Sequence, residues 1–113
     1  MILKSSVLRA RMLKEWRAWV SRIARVVEEL VPSSEVYVIG SVVRGDYVGG
    51  SDVDILIVSK HVPEDLRGRG VVKALIEERA NLPYYHPFEI HVLRPEEVEY
   101  YIRRAGSAVV RVK

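Results

Sequence analysis

The run Ser51-Asp52-Val53-Asp54-Ile55-Leu56-Ile57-Val58 limits what this chain can become more than any other. Four unbroken apolar residues after the second aspartate describe a strand with apolar neighbours on both faces. Successive strand side chains point to opposite faces, so Asp52 and Asp54 share one face, about 6.5 Å apart along the backbone. Carboxylates placed that way repel each other unless a cation sits between them. Oxygen ligands on a rigid edge suit Mg²⁺, which keeps waters and completes its shell with substrate phosphates. Upstream, Gly40-Ser41 supplies a tight backbone approach and a hydroxyl for such phosphates. Together these residues read as a site that handles a nucleotide.

Composition bounds the setting. The 113 residues suffice for one domain, 1–113, with a single core, and 49% hydrophobic with 29% charged residues is a globular balance. No apolar run approaches the roughly 20 residues that span a bilayer, and Met1-Ile2-Leu3-Lys4-Ser5-Ser6 lacks the layout of a secretion signal. Cysteine is absent, which excludes disulfides and thiolate chemistry. A cytoplasmic protein without membrane contact is expected. The net charge of +3 is mild, and much of the positive charge lies in Lys4, Arg9, Arg11, Lys14, Arg17, Arg22 and Arg25. These residues read first as the solvated face of a helix. A nucleic-acid footprint is the less favoured reading, because no aromatic residues interleave with them on that face.

Periodicity orders the elements. Trp16, Trp19, Val20, Ile23, Val26, Val27 and Leu30 recur at helical spacing, which predicts one amphipathic helix from about Ser6 to Val31, stopped by Pro32. Glu35 to Ile39 is a short β-branched strand closed by Gly40. Ser41 is expected to cap a short helix through Arg44 to Tyr47, and Gly49-Gly50-Ser51 is a turn into the strand Asp52 to Val58. So short a link favours antiparallel pairing of these two strands. A helix follows from Glu64 to Ala80, with Leu66, Val71, Val72, Leu75 and Ile76 as its expected buried residues. Phe88 to Leu93 is a third strand, Pro95 opens a last helix to Arg104, and Ser107 to Lys113 is a further strand or a loose end. The order α-β-α-β-α-β-α predicts an α/β (α+β) fold, a small mixed sheet with flanking helices.

In Phe88-Glu89-Ile90-His91-Val92-Leu93, Glu89 and His91 share one strand face while Phe88, Ile90 and Val92 take the other. If this strand lies beside the second one, Glu89 approaches Asp52 and Asp54 and makes a three-acid metal site with a base. His91 is then its neighbour. Edge protection is the plainer reading of Glu89 alone. Other sites fail: Asp46 stands where a P-loop needs lysine, no G-x-G-x-x-G follows a strand, and Ile55-Leu56-Ile57 continue as strand where a calcium loop would turn. His86, Glu89 and His91 look like zinc ligands by composition, but His86 precedes a proline outside the strand and no second ligand pair exists.

Gly40-Ser41-x-x-Arg44-Gly45 followed by Ser51-Asp52-Val53-Asp54-Ile55-Leu56 resembles the signature of the nucleotidyltransferase superfamily that includes DNA polymerase beta, and the size and element order resemble its minimal nucleotidyltransferases. The resemblance implies that Gly40 and Ser41 contact the nucleotide's terminal phosphates, with Arg44 either touching phosphate or propping the short helix. It implies two Mg²⁺ ions held by Asp52 and Asp54, with Glu89 at the third acidic position, where the family usually has aspartate. It implies transfer of a nucleoside monophosphate, AMP from ATP, to an acceptor hydroxyl held by a second subunit or another protein. In one such setting the enzyme is an antitoxin that modifies a tyrosine of a HEPN-type (higher eukaryotes and prokaryotes nucleotide-binding) toxin partner. The alternatives are a non-catalytic protein-binding module and nucleotide addition to an RNA end.

Overall fold

The computed structural model describes residues 4–106 and 108–113. Residues 1–3, which open the segment read for a secretion signal, and residue 107, which opens the C-terminal tail, lie outside the described residues.

Strand alternation decides how the sheet is used. Strands β1 (Glu35–Ile39), β2 (Val53–Val58), β3 (Phe88–Leu93) and β4 (Val109–Arg111) form one sheet in the order β3-β2-β1-β4. β1 pairs antiparallel with β2 and with β4, while β2 and β3 run parallel, so the sheet is mixed as expected. The tail is thus a strand from Val109 to Arg111. Val36, Val38, Val53, Ile55, Ile57, Phe88, Ile90 and Val92 share one core, and Ile39, Leu56, Val58 and Leu93 belong to a second cluster. That division is the period-two alternation of each strand resolved onto two sheet faces.

The first face is covered by α1 (Ser5–Lys14), α2 (Trp16–Leu30) and α4 (Leu66–Arg79), through Met12, Leu13, Trp16, Val20, Ile23, Val27 and Ile76. Each large aliphatic side chain fully buried there contributes about 1.5–3 kcal/mol. The second face is covered by α5 (Val98–Ala105), whose Val98, Tyr101, Ile102 and Ala105 pack on Leu56 and Leu93. α4 spans the crossover that lets β3 return parallel to β2.

Four details depart from the sequence expectation. The single helix Ser6 to Val31 is divided at Glu15, whose backbone leaves the helical region at φ −95° and ψ 22°. No Gly or Pro marks the break, and Met12 and Leu13 before it join Trp16 after it in one core. The short helix, α3, spans Ser41–Arg44. Gly40 is its N-cap, and Ser41 is its first turn rather than its cap; Tyr47 lies beyond it. In α4 only Ile76 of the five expected residues is buried: Leu66 is 85% exposed, Val71 and Leu75 are also exposed, and Val72 packs on the core from its margin. That face is shared with α1 and α2, which supply Met12, Leu13, Trp16, Val20, Ile23 and Val27 to the same core. Pro95–Glu97 forms a 3-10 turn ahead of α5, with Gly106 ending the helix as expected.

Among the described residues no helix is long and apolar enough to cross a membrane.

Candidate active site

The parallel register sets Asp54 opposite Glu89, and the antiparallel register sets Asp54 opposite Ile39, immediately before Gly40. Both carboxylates therefore leave the α5 side of the sheet at the start of two adjacent strands. His91, two residues along β3 from Glu89, points the same way. Its Nε2 lies 3.1 Å from Asp54 Oδ1 and 4.0 Å from Glu89 Oε1. An ionised carboxylate only accepts, so Nε2 carries the proton and donates to Asp54. The ring is braced by Tyr101 of α5, with centroids 4.9 Å apart.

Gly40 brings the β1–α3 turn against this cluster. Its φ of 98° with ψ of −155° lies in a region that only glycine occupies readily, and a Cβ there would stand 3.7 Å from Asp54 Oδ2. Gly40, Ser41, Arg44, Asp54, Glu89 and His91 line one cavity of about 460 Å³, closed on the α5 side by Tyr101 and Arg104. Arg44 donates through Nε to Asp46 Oδ2 at 3.2 Å, an exposed pair at the rim.

Asp52 is placed differently. It precedes β2, and its side chain is 57% exposed against 34% for Asp54. Its Oδ1 accepts from Arg9 Nη2 of α1 at 2.6 Å, while Arg9 Nη1 donates to Gly49 O at 3.3 Å. Asp52 and Arg9 line a second, more open cavity of about 480 Å³ with Ser5, Ser6, Tyr84 and Tyr85. The structure thus brings together Gly40, Ser41, Arg44, Asp54 and Glu89, and leaves Asp52 turned toward α1.

His86 serves the scaffold. Its Nδ1 accepts from the Phe88 N–H at 3.0 Å, which leaves the ring proton on Nε2, facing Glu77 Oε2 at 2.7 Å. It is held against α4, away from Glu89 and His91, and no His86–Glu89–His91 cluster assembles. Lys60 and His61 are exposed.

A nucleotidyltransferase domain model matches residues 20–111. The chain belongs to the nucleotidyltransferase domain family. It is also similar to the crystal structure of a "putative nucleotidyltransferase" from Sulfolobus solfataricus, at 28% identity and a TM-score of 0.60, over 97% of this chain and 87% of that one. No curated protein matches it. This nucleotidyltransferase is a transferase with a mixed α/β fold, and its family handles nucleoside triphosphates with a divalent metal.

The residues of the site fit such a metal. One oxygen each from Asp54 and Glu89 and one ring nitrogen of His91 lie within 4.8 Å of one another. Two carboxylate oxygens on neighbouring strands suit a hard divalent ion, with the His91 N–H turned to Asp54 as support for that ligand.

Tyr101, Arg104 and Arg9 were not among the residues singled out for the site by sequence. Tyr101 and Arg104 are spaced one helical turn apart in α5, a pattern that any amphipathic helix shares. Arg9 lies 43 residues from Asp52 and carries no local signal.

Proposed function

We propose that this nucleotidyltransferase transfers a nucleoside monophosphate, AMP from ATP, to an acceptor hydroxyl, with Mg²⁺ as the metal. The observation that carries this reading is the meeting of Asp54, Glu89 and His91 beside Gly40-Ser41 in one cavity.

In this reading Ser41 and the close backbone at Gly40 receive the terminal phosphates, and Arg44 and Arg104 offer positive charge at the rim. Asp54 and Glu89 hold the metal, Asp52 contributes to a second ion, and His91 fixes the orientation of Asp54 by its hydrogen bond. Bound Mg²⁺ supplies positive charge that offsets the triphosphate and the departing pyrophosphate. The acceptor oxygen forms a bond to the α-phosphorus as the bond from that phosphorus to the bridging oxygen breaks. Glu89, half-exposed at the mouth of the cavity, takes the acceptor's proton, and pyrophosphate carries away the displaced electron pair. Positioning and charge stabilisation supply most of the rate.

The acceptor proposed is a tyrosine of a HEPN-type protein partner, in a cytoplasmic toxin–antitoxin pair. A non-catalytic binding module would need exposed contact residues such as Trp16 or Trp19 of α2. Trp16 is 4% exposed within the core and Trp19 packs at its margin against Phe88, so neither stands out as a free contact.

The test is to incubate the protein and its co-purified partner with α-labelled ATP and Mg²⁺. Label on a partner tyrosine, abolished by Asp54→Asn, is expected. No label transfer by wild type, or equal transfer by the variant, rejects the reading.

A further inference from the structure

Asp52 already has a cation. The Arg9 guanidinium sits 2.6 Å from Asp52 Oδ1, reaches the Gly49 carbonyl with its other terminal nitrogen, and is itself mostly buried, with 22% of its side chain exposed. The backbone that presents Asp52 is held without Arg9. Ser51 N–H donates to Val48 O at 2.9 Å, Ser51 Oγ accepts from Val48 N–H at 3.1 Å, and Val53 N–H donates to Pro87 O at 2.8 Å. Losing the Arg9 contact therefore frees a carboxylate and leaves the loop in place. Asp52 lies two residues before Asp54, about 6.5 Å along the backbone, and 57% of its side chain is exposed.

Guanidinium and a divalent ion cannot both take the same carboxylate at close range. A unit charge about 5 Å from a doubly charged ion opposes its binding by roughly tenfold even in water-like surroundings. The Asp52 side of the pair is 57% exposed and open to solvent ions, so this competition is reversible.

We infer that Arg9 of α1 determines whether Asp52 joins Asp54 and Glu89 as a metal ligand. With Arg9 on Asp52 the site takes one divalent ion, at Asp54 and Glu89, with His91 orienting Asp54. A second ion enters only when Arg9 leaves, so whatever displaces the N-terminal helix controls the metal count. Arg9 is a positioning residue here, acting through Asp52. The inference rests on the metal-dependent reading above.

The experiment counts Mn²⁺ bound to the full chain by electron paramagnetic resonance, with no substrate present. Wild type is expected to bind one ion and a second much more weakly. Arg9→Gln is expected to bind the second ion about tenfold more tightly, and Arg9→Gln with Asp52→Asn to lose that gain. If the first ion binds and the second shows equal affinity in wild type and Arg9→Gln, the Arg9 control is overturned and the metal site stands. If neither protein binds any Mn²⁺, the metal-dependent reading fails and takes the inference with it. Should Arg9→Gln not fold, the wild-type Arg9 Nε–H resonance decides under Mg²⁺ titration. Movement with the second ion alone supports the control, and movement with the first ion or with neither overturns it.

Discussion

Asp54 and Glu89 are Cα partners in the parallel β2–β3 ladder, so two carboxylates leave the same sheet face side by side. Like charges in directly opposite positions destabilise a sheet, and the hydrogen bond from His91 to Asp54 relieves only part of that. Folding alone gives no reason for this pair, which is what a cation site inside a sheet demands.

Glu89→Gln separates the two demands. Removing one charge is expected to leave stability unchanged or raise it by about 0.2–1 kcal/mol. Nucleotidyl transfer is expected to fall by about 100-fold or more, since a metal ligand and base is worth several kcal/mol in the transition state. Urea unfolding and a labelled-nucleotide assay on the same preparation read both.

His91→Ala removes the group that orients Asp54 and lies 4.0 Å from Glu89. Divalent-ion affinity is expected to drop about 10–100-fold, the usual cost of losing such support. Titration calorimetry with Mn²⁺ measures it, and an unchanged affinity would remove His91 from the site.

Gly40→Ala tests the turn. The backbone there, at φ 98°, strains any side chain, while the new Cβ would make only ordinary contact with Asp54 at 3.7 Å. The expected cost is about 1–3 kcal/mol of stability from the backbone itself. A raised KM for ATP is expected with it, because Ser41 follows directly. Equilibrium unfolding and a KM determination check the two parts.

Trp16→Ala empties a buried position in the core under α1 and α2. A loss of about 3–5 kcal/mol is expected. Trp19, partly buried at the core's margin, is expected to cost less when replaced. Thermal melting of the two variants side by side gives the ranking.

Acid should weaken the tie between α4 and the start of α5. Arg69 donates to Glu97 at 2.8 Å, and that hydrogen bond holds the Glu97 carboxyl below the ordinary glutamate range. A folded pKa below the unfolded one means the stabilisation is complete above about pH 4.3 and is lost as pH falls through the lower folded value. Glu97 is more than a third exposed, so the contribution is at most about 1 kcal/mol. Glu97→Gln is expected to flatten the acid limb of a Tm-against-pH curve measured between about pH 6 and pH 3. The Glu97 pair ties the start of α5 to α4, and α5 carries Tyr101 and Arg104 at the cavity.

Much of the candidate site was legible because strand parity is local. The alternation in Phe88 to Leu93 separates Glu89 and His91 from Phe88, Ile90 and Val92 without reference to anything else, and the structure divides them the same way. The spacing of Gly40-Ser41 from Asp54 was legible because β1 and β2 are joined by one short link and pair antiparallel. Asp52 shows the limit. Parity gives its side, but it lies just outside β2, where the ladder no longer fixes its direction, and a guanidinium from a distant helix claims it. The break at Glu15 and the exposed Leu66, Val71 and Leu75 escaped because both are features of how the helices pack, which no local pattern carries.

The sequence by itself determined the strands, the helical stripe of α2, the turn glycine at Gly40 and the acids available for chemistry, since each follows from hydropathy and backbone sterics over a few residues. Only the tertiary structure decided that Asp54, Glu89 and His91 converge while Asp52 pairs with Arg9. Charges act across space between segments far apart in the chain, and their partners are set by how the helices pack on the sheet.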